Sequence, residues 1–92
     1  MRITFPDKAP VFDGSQMVVR FEADVNGVPV ACAITAEALE DHFGAGSSLE
    51  GELLSAYEQG RERIRSVCEL ALLQNGGAAV VLRSGLFRMG SA

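Results

Sequence analysis

The dipeptide Asn26-Gly27 constrains the fold more than any other feature, because it separates two stretches in which apolar residues alternate with others. In residues 17–25 every second side chain is apolar and most of the intervening ones are charged, which is typical of a strand with one buried face. Asn-Gly is the strongest short signal for a two-residue hairpin turn. Residues 28–34 are therefore predicted to form the partner strand.

A two-residue turn fixes the register of the hairpin. One face then pairs only apolar residues: Val25 with Val28, Ala23 with Val30, Phe21 with Cys32, and Val19 with Ile34. The other face pairs Asp24 with Pro29, Glu22 with Ala31, and Arg20 with Ala33. Turn chemistry and residue pattern thus predict the same structure. The missing N–H of Pro29 points away from the partner strand, which predicts a free edge near the turn.

Residues 47–74 are predicted to form one long amphipathic helix. Its apolar residues recur three, four or seven positions apart: Leu49, Leu53, Tyr57, Ile64, Val67 and Ala71. Ser47 followed by Glu50 matches a capping box, and Asn75-Gly76-Gly77 provides the stop. Such a helix would be about 40 Å long, so it crosses the whole domain or bends. Gly60 predicts either a bend or the close approach of another backbone.

The remaining chain predicts four further features. Residues 3–5 are predicted to form a first strand, and residues 7–16 a loop that returns Val11 and Phe12 to the core. Residues 36–43 are predicted to form a short helix capped by Thr35. Residues 78–83 are predicted to form a last strand that is central or covered on both faces. The predicted fold class is α+β: one domain of residues 1–88 with a small antiparallel or mixed sheet of three to five strands. The elements follow in the order β-β-β-α-α-β, both helices pack on one face, and residues 89–92 are a frayed tail.

Charge and hydropathy exclude several functions. The net charge of −4 argues against nonspecific binding to nucleic acid or to an anionic membrane. No apolar run approaches the roughly 18 residues of a membrane span, and no signal peptide is recognisable at the N-terminus, so a cytoplasmic location is expected. Cys32 and Cys68 do not form a zinc motif, and we expect both to be buried thiols.

No motif for catalysis, for a cofactor or for a metal is present, so we expect a protein that is not an enzyme. His42 lies beside Asp41, which would suit a general base, but no nucleophile is recognisable. Residues 44–48 precede a helix and resemble a phosphate loop, although they lack its lysine and its preceding strand. An anion at this helix N-terminus remains an alternative.

The candidate interaction surface comprises Arg61, Arg65, Leu70 and Leu73 in the long helix. Arg61 and Arg65 lie one turn apart, which suits either contact with nucleic acid or a solvated face paired with glutamates. Four leucines lie off or beside the main apolar stripe: Leu54, Leu70, Leu72 and Leu73. An apolar surface formed by several large side chains predicts a homodimer through the C-terminal half of the helix.

A joint pattern of short segments resembles one family. The segments include Phe5-Pro6, Val19-Arg20-Phe21, Cys32-Ala33-Ile34, His42-Phe43-Gly44 and Arg61-Glu62-Arg63-Ile64. Residues 1 to about 87 resemble short bacterial proteins known as domain of unknown function 1488, whereas the chain departs from that pattern after Phe87. The resemblance implies a small α+β fold and a bacterial cytosolic setting, and it brings no known activity, substrate or cofactor.

The function that best fits these features is that of a non-enzymatic accessory or regulatory module acting through protein contacts, as a homodimer or with a protein partner. One alternative is a nucleic-acid-associated transcriptional regulator that uses the Arg61–Arg65 helix face. A second alternative is a protein that binds an anion or a small metabolite.

Overall fold

The computed structural model describes residues 1–89, which form a five-stranded mixed sheet and four helices. The strands are β1 (Ile3–Thr4), β2 (Val11–Asp13), β3 (Val18–Val25), β4 (Val28–Thr35) and β5 (Val80–Leu82). The helices are α1 (Ala36–His42), α2 (Glu50–Gln59), α3 (Arg61–Gln74) and α4 (Ser84–Met89). The sheet order is β1-β3-β4-β5, and β2 pairs with β3 on the same side as β1. The predicted α+β class is confirmed.

The β3–β4 hairpin has the predicted register at every position, from Val25 opposite Val28 to Val19 opposite Ile34. Asn26 and Gly27 form the turn with φ values of 53° and 87°, as a turn with two left-handed residues requires. Asn26 also holds the first strand in place. Its Oδ1 accepts a hydrogen bond from the Arg2 N–H at 2.9 Å, and its own N–H donates to the Arg2 carbonyl at 2.8 Å.

The core lies between one face of the sheet and the helices. A row of apolar side chains crosses four strands on this face: Phe12, Val19, Ile34 and Leu82. From the helices, fully buried Leu39, Leu53, Ile64 and Leu72 pack against it. The parallel pairing of β4 with β5 needs a crossover connection, which α1, α2 and α3 provide.

The predicted single helix is in fact two helices, α2 and α3, which meet at Gly60. Backbone hydrogen bonds continue through the break, from the Gly60 N–H to Ala56 and from the Ile64 N–H to Gly60. The Phe43 ring lies where a Cβ at residue 60 would be, so the close approach is that of a side chain and not of a backbone. Both a break and a close approach therefore occur at Gly60.

Other local predictions were also wrong, among them the return of Val11 to the core, since Val11 is 62% exposed. Residues 11–13 of the predicted loop form β2, and residues after 83 form α4, which the sequence pattern did not reveal. β5 is an edge strand, with Val81 45% exposed. The N-cap of α2 is Leu49, so Ser47 lies too early for a capping box and its hydroxyl instead accepts from the Leu49 N–H. Met89 of the predicted tail is in α4, and residues 90–92 lie outside the described residues.

We expect Gly27→Val to lower the free energy of unfolding by more than about 1 kcal/mol, because a β-branched residue is strained at this positive φ. Asn tolerates the left-handed region better, so Gly27→Asn should cost less. Chemical denaturation of both variants measures the difference. Equal stability of wild type and Gly27→Val would contradict this account of the turn.

We expect Gly60→Ala to lower the free energy of unfolding by about 2 kcal/mol, because the added methyl group overlaps the Phe43 ring. Gly51→Ala in α2 is the matched control, since a Cβ there meets no atom within 4 Å. Alanine should then stabilise the helix by up to about 1 kcal/mol. In a Phe43→Ala background, Gly60→Ala should lose its penalty. A stabilising Gly60→Ala in the wild-type background would show that the contact is not formed.

Candidate functional site: the open face of the sheet

The face of the sheet opposite the helices defines the open face, whose central strands are β3 and β4. Alternation turns Val18, Arg20, Glu22 and Asp24 of β3 away from the core, and their partners on β4 are Thr35, Ala33, Ala31 and Pro29. Val11 on β2 and Val81 on β5 extend the row of Arg20 and Ala33 across four strands. The open face therefore has charged side chains along β3 (Arg20, Glu22 and Asp24) and small or apolar side chains along β4 and β5.

Three depressions shape this face, and one of them, of about 430 Å³, lies at the turn end and is lined by Arg2, Thr4, Asp24, Asn26 and Gly27. A groove of about 440 Å³ opens where β1 and β2 leave the middle of β3 unpaired, and it is lined by Lys8, Ala9, Val11, Arg20, Phe21, Glu22, Pro29 and Ala31. A smaller cleft of about 170 Å³ lies toward the end of β4, where Val18 and Ala33 meet Thr35, Val81 and Arg83. Val11 and Val81 are 62% and 45% exposed beside these depressions. Exposed apolar side chains beside concave surface are typical of protein contact sites.

Two ion pairs neutralise most of the charge at the centre of the open face. Arg20 donates from Nε and Nη2 to Asp13 Oδ2 at 3.0 and 2.8 Å, and Lys8 Nζ lies 3.2 Å from Glu22 Oε1. Hydrogen bonds from the Ser15 hydroxyl and from Arg20 lower the pKa of Asp13 to about 2. A depressed carboxyl pKa contributes stability above the normal range of aspartate, and that stability is lost as the pH falls toward 2. The Asp13–Arg20 pair is thus intact at neutral pH.

A second cluster joins α1 to α4, in which His42 and Asp41, noted in the sequence analysis, contact a serine that was not anticipated. His42 Nε2 lies 3.1 Å from both the carbonyl oxygen and the hydroxyl of Ser84, and the Ser84 hydroxyl donates to Asp41 Oδ2 at 2.6 Å. Ser84 is buried. The three residue types are those of a serine-hydrolase triad. The serine that sequence reasoning failed to find near His42 is therefore present, 42 residues away in the chain.

The hydrogen bonds of this cluster run in the opposite sense to those of a triad. A carbonyl oxygen can only accept, so the proton between His42 Nε2 and the Ser84 carbonyl is on the histidine. The Ser84 proton goes to Asp41 and not to His42. A general base needs a free nitrogen that accepts the serine proton. As arranged, the cluster holds the start of α4 against the end of α1.

Arg61 and Arg65 of the predicted nucleic-acid face, and Arg63 between them, have partners within the protein. Arg61 forms an ion pair with Glu58 at 3.3 Å. Arg63 lies over the rings of Phe43 and Phe87, with its Cζ 5.3 and 5.6 Å from the centroids. Arg65 lies over the Phe5 ring at 5.4 Å, and its Nε is buried without a hydrogen-bond partner. Arg65 is half-buried, so its charged group does not project freely into solvent.

Leu70 and Leu73 lie on the solvent side of α3 and are 61% and 46% exposed. Leu72, which was predicted to lie off the main stripe, is fully buried, and Leu54 is half-buried against the core. At about 100° per residue, Arg61 and Leu70 project from opposite sides of α3. The structure therefore does not bring the candidate surface of Arg61, Arg65, Leu70 and Leu73 together as one patch.

Cys32 and Cys68 are both buried, as predicted, and they meet in the core between β4 and α3. The hydrogen bond between them lowers the pKa of Cys32, and that bond together with burial raises the pKa of Cys68. Within residues 1–89, no three His, Cys, Asp or Glu side chains are grouped closely enough to hold a metal ion.

The N-terminus of α2, the candidate anion site, begins with two acidic residues, Glu50 and Glu52. Both carboxylates lie in the first turn, where they interact favourably with the helix dipole. An added anion would be repelled by them. None of the four helices in the described part of the chain is long and apolar enough to cross a membrane.

Sequence reasoning placed the central side chains of the open face correctly but did not identify the face as a site. The alternation in β3 and β4 predicted that Ala31 and Ala33 lie beside Glu22 and Arg20. Two small apolar residues between charged ones were the available signal. Whether a helix covers that face depends on how the later elements pack, and a residue pattern does not encode this.

Comparison with known proteins agrees with the fold. A crystal structure of a protein of unknown function from the DUF1488 family, from Shewanella loihica PV-4, superposes with a TM-score of 0.75. It is 25% identical to this chain, and the match covers 88% of this chain and 92% of the other. No curated protein matches. The sequence pattern described as "Protein of unknown function (DUF1488)" matches residues 3–82, so the chain belongs to the DUF1488 family.

Proposed function

We propose that the protein is a small, cytoplasmic, non-enzymatic accessory or regulatory module of bacteria that acts through protein contacts. Its contact surface is the open face of the sheet, and the occupant of that surface is a second copy of the chain. The observation that carries the proposal is the helix-free face itself, with Val11 exposed beside a groove of about 440 Å³ and Val81 exposed beside a cleft of about 170 Å³. A sheet covered on one side only can bury its second face against another sheet.

The size of the open face suits a weak dimer. Eight residues of strand extend about 26 Å, and four strands side by side span about 14 Å. This footprint, about 360 Å², is less than half of the roughly 800 Å² per partner that a standard specific interface buries. A dissociation constant in the micromolar range is therefore expected, as for a module that associates reversibly.

The alternative surface on α3 is smaller. Leu70 and Leu73 are two exposed leucines on a helix whose other solvent-facing residues include Ser66, Glu69 and Gln74. An interface needs a buried apolar centre surrounded by a polar rim. Leu70 and Leu73 alone would form a smaller apolar centre than the row of side chains that crosses four strands of the open face.

The arginines of α3 contact other side chains of the protein, which favours a function in protein contacts over one in nucleic-acid binding. A nucleic-acid surface uses cations that reach the phosphates freely, and its affinity grows with the number of such contacts. Here Arg61 has a carboxylate partner, whereas Arg63 and Arg65 lie over aromatic rings of the protein itself. Together with the net charge of −4, this arrangement supports the protein-contact proposal.

Analytical ultracentrifugation between about 5 and 500 µM tests the proposal. We expect the mass to rise from the 9.8 kDa of one chain toward twice that value. Val81→Glu should return the protein to the monomer, because burial in the interface would remove water from a charged carboxylate on β5. Leu70→Glu on α3 is the matched control and should leave the dimer intact.

Two results would contradict the proposed interface. One is a wild-type mass that stays at 9.8 kDa over the whole concentration range. The other is a dimer that Leu70→Glu disrupts and Val81→Glu does not, which would assign the contact to α3. Melting temperatures of both variants should confirm that each is folded, since Val81 and Leu70 are both exposed in the monomer.

The absence of enzymatic activity has its own test at Ser84, the residue that most resembles a nucleophile. We expect no covalent labelling of the native protein by a fluorophosphonate probe, because the Ser84 proton goes to Asp41 and His42 Nε2 is protonated. Mass spectrometry of the intact protein measures the adduct. Stoichiometric labelling that Ser84→Ala abolishes would overturn the non-enzymatic part of the proposal.

A further inference from the structure

A bulge interrupts the edge of the sheet beside the middle of β3. β1 ends opposite Asp24, and β2 begins opposite Arg20. Residues 21–23 of β3 therefore lie beside residues 5–10, which connect the two short strands. Because the connection is longer than the stretch of β3 that it passes, it has to leave the sheet. A gap opens next to β3 as a result.

The backbone of Glu22 faces this gap. In a two-residue hairpin the residues on either side of the turn, here Val25 and Val28, exchange hydrogen bonds, so every second residue of β3 counted from Val25 bonds to β4. The N–H and C=O of Glu22 point the other way. Within the described residues, neither group forms a hydrogen bond. Pro6, which would continue the β1 ladder opposite Glu22, has no N–H to donate.

The free N–H and C=O of Glu22 form an adjacent donor and acceptor. Backbone groups that have no partner in the chain bond to water or to a ligand. These two adjoin the groove of about 440 Å³, which Glu22 and Phe21 line. That volume is within the range of small-molecule sites, about 300–1,000 Å³. The gap therefore places a hydrogen-bonding edge at the wall of a concave surface.

The rest of the groove favours a neutral occupant. Lys8 Nζ lies 3.2 and 3.3 Å from the two carboxylate oxygens of Glu22, and Arg20 is bonded to Asp13. Each charged side chain that lines the groove thus has a partner of opposite sign among the described residues. The other lining residues are apolar: Ala9, Val11, Phe21, Pro29 and Ala31.

We infer that this groove binds a small neutral molecule that carries a cyclic or primary amide. In such amides an N–H and the C=O lie on the same side of the group. The ligand N–H donates to the Glu22 carbonyl, and the ligand oxygen accepts from the Glu22 N–H. The apolar body of the ligand packs on Val11, Pro29 and Ala31.

The same geometry excludes an added peptide strand. A trans peptide bond directs its N–H and C=O to opposite sides. A peptide can therefore offer both groups to Glu22 only as one residue of an extended strand. Such a strand would continue past Glu22 in both directions, where β1 and β2 already pair with Asp24 and Arg20.

The inference does not depend on the proposed dimer, because one chain contains the whole groove. Binding is therefore measured on Val81→Glu, whose substitution lies outside the groove. If the open-face dimer forms, this variant is its monomer. If the dimer does not form, the variant has the same groove as the wild type. Failure of the dimer and failure of the ligand site are thus observed separately.

An NMR titration with carbostyril, a bicyclic aromatic lactam, tests the inference. We expect a dissociation constant of about 1 mM, as for an efficient ligand of this size. The backbone amide resonance of Glu22 should be among those that shift most. N-methylcarbostyril lacks the N–H and should bind at least about tenfold more weakly, because the Glu22 carbonyl is then left without its donor.

Two variants locate the site. Ala31→Leu fills the groove and should weaken carbostyril binding at least about tenfold, because the added side chain takes the place of the ligand body. Ala79→Leu makes the same change outside the groove and should leave the dissociation constant unchanged. Both alanines are exposed, so neither change alters the core. Melting temperatures establish that each variant is folded.

Four results would overturn the inference. They are the absence of carbostyril binding up to its solubility limit, equal affinities for carbostyril and its N-methyl derivative, a Glu22 amide resonance that does not move, and an Ala31→Leu variant that binds as tightly as its parent. None of these results bears on the open-face dimer, which sedimentation of the wild type and of Val81→Glu decides.

Discussion

The pairing of β3 with β4 is the interaction on which the rest of the structure depends. These are the two longest strands, and every other strand of the sheet attaches to one of them. Their register is fixed by the two left-handed residues of the Asn26-Gly27 turn, and a slip by one position would move Val19, Phe21 and Ala23 out of the core. The same alternation creates both faces of the sheet: the apolar one that the helices cover and the mixed one that they leave open.

The helices can pack along the sheet only because the helical segment bends at Gly60. A straight helix over residues 47–74 would be about 40 Å long, which exceeds the longest dimension of the protein, 36 Å. The break at Gly60 lets α2 and α3 each present their buried residues to the sheet: Leu53 and Tyr57 from α2, and Ile64 and Leu72 from α3. Phe43 occupies the space that the glycine provides, and its edge contacts the Phe87 ring of α4. Because Gly60 has no side chain, Phe43 at the end of α1 can contact both the α2–α3 break and α4.

Most groups that suggest chemistry in this sequence have structural roles in the fold. His42, Asp41 and Ser84 hold α4 to α1, and Arg63 joins them by lying over the Phe43 and Phe87 rings and donating to the Phe87 carbonyl. The two thiols fill the core between β4 and α3. The open face has no such structural role and exposes apolar side chains on more than one strand, which is why the proposed function is assigned to it.

The features of this protein that depend on residues close together in the chain could be predicted from the residue pattern. The hairpin, its register, the cap of α1 by Thr35 and the apolar stripe of α2 and α3 all arise from short-range chemistry that a residue pattern records. The structure confirmed the α+β class that this pattern predicted, and one DUF1488 crystal structure superposes on it with a TM-score of 0.75.

Tertiary structure alone decided the features that join distant segments. Three contacts depend on how separate elements pack. They are the contact of Phe43 with Gly60, the hydrogen bond between His42 and Ser84, and the pairing of β2 with β3. The edge position of β5 and the uncovered face of the sheet are set in the same way, because packing places every helix on one side. The secondary-structure propensity of a short segment does not depend on contacts with distant segments. The candidate interface could therefore be identified only from the folded structure.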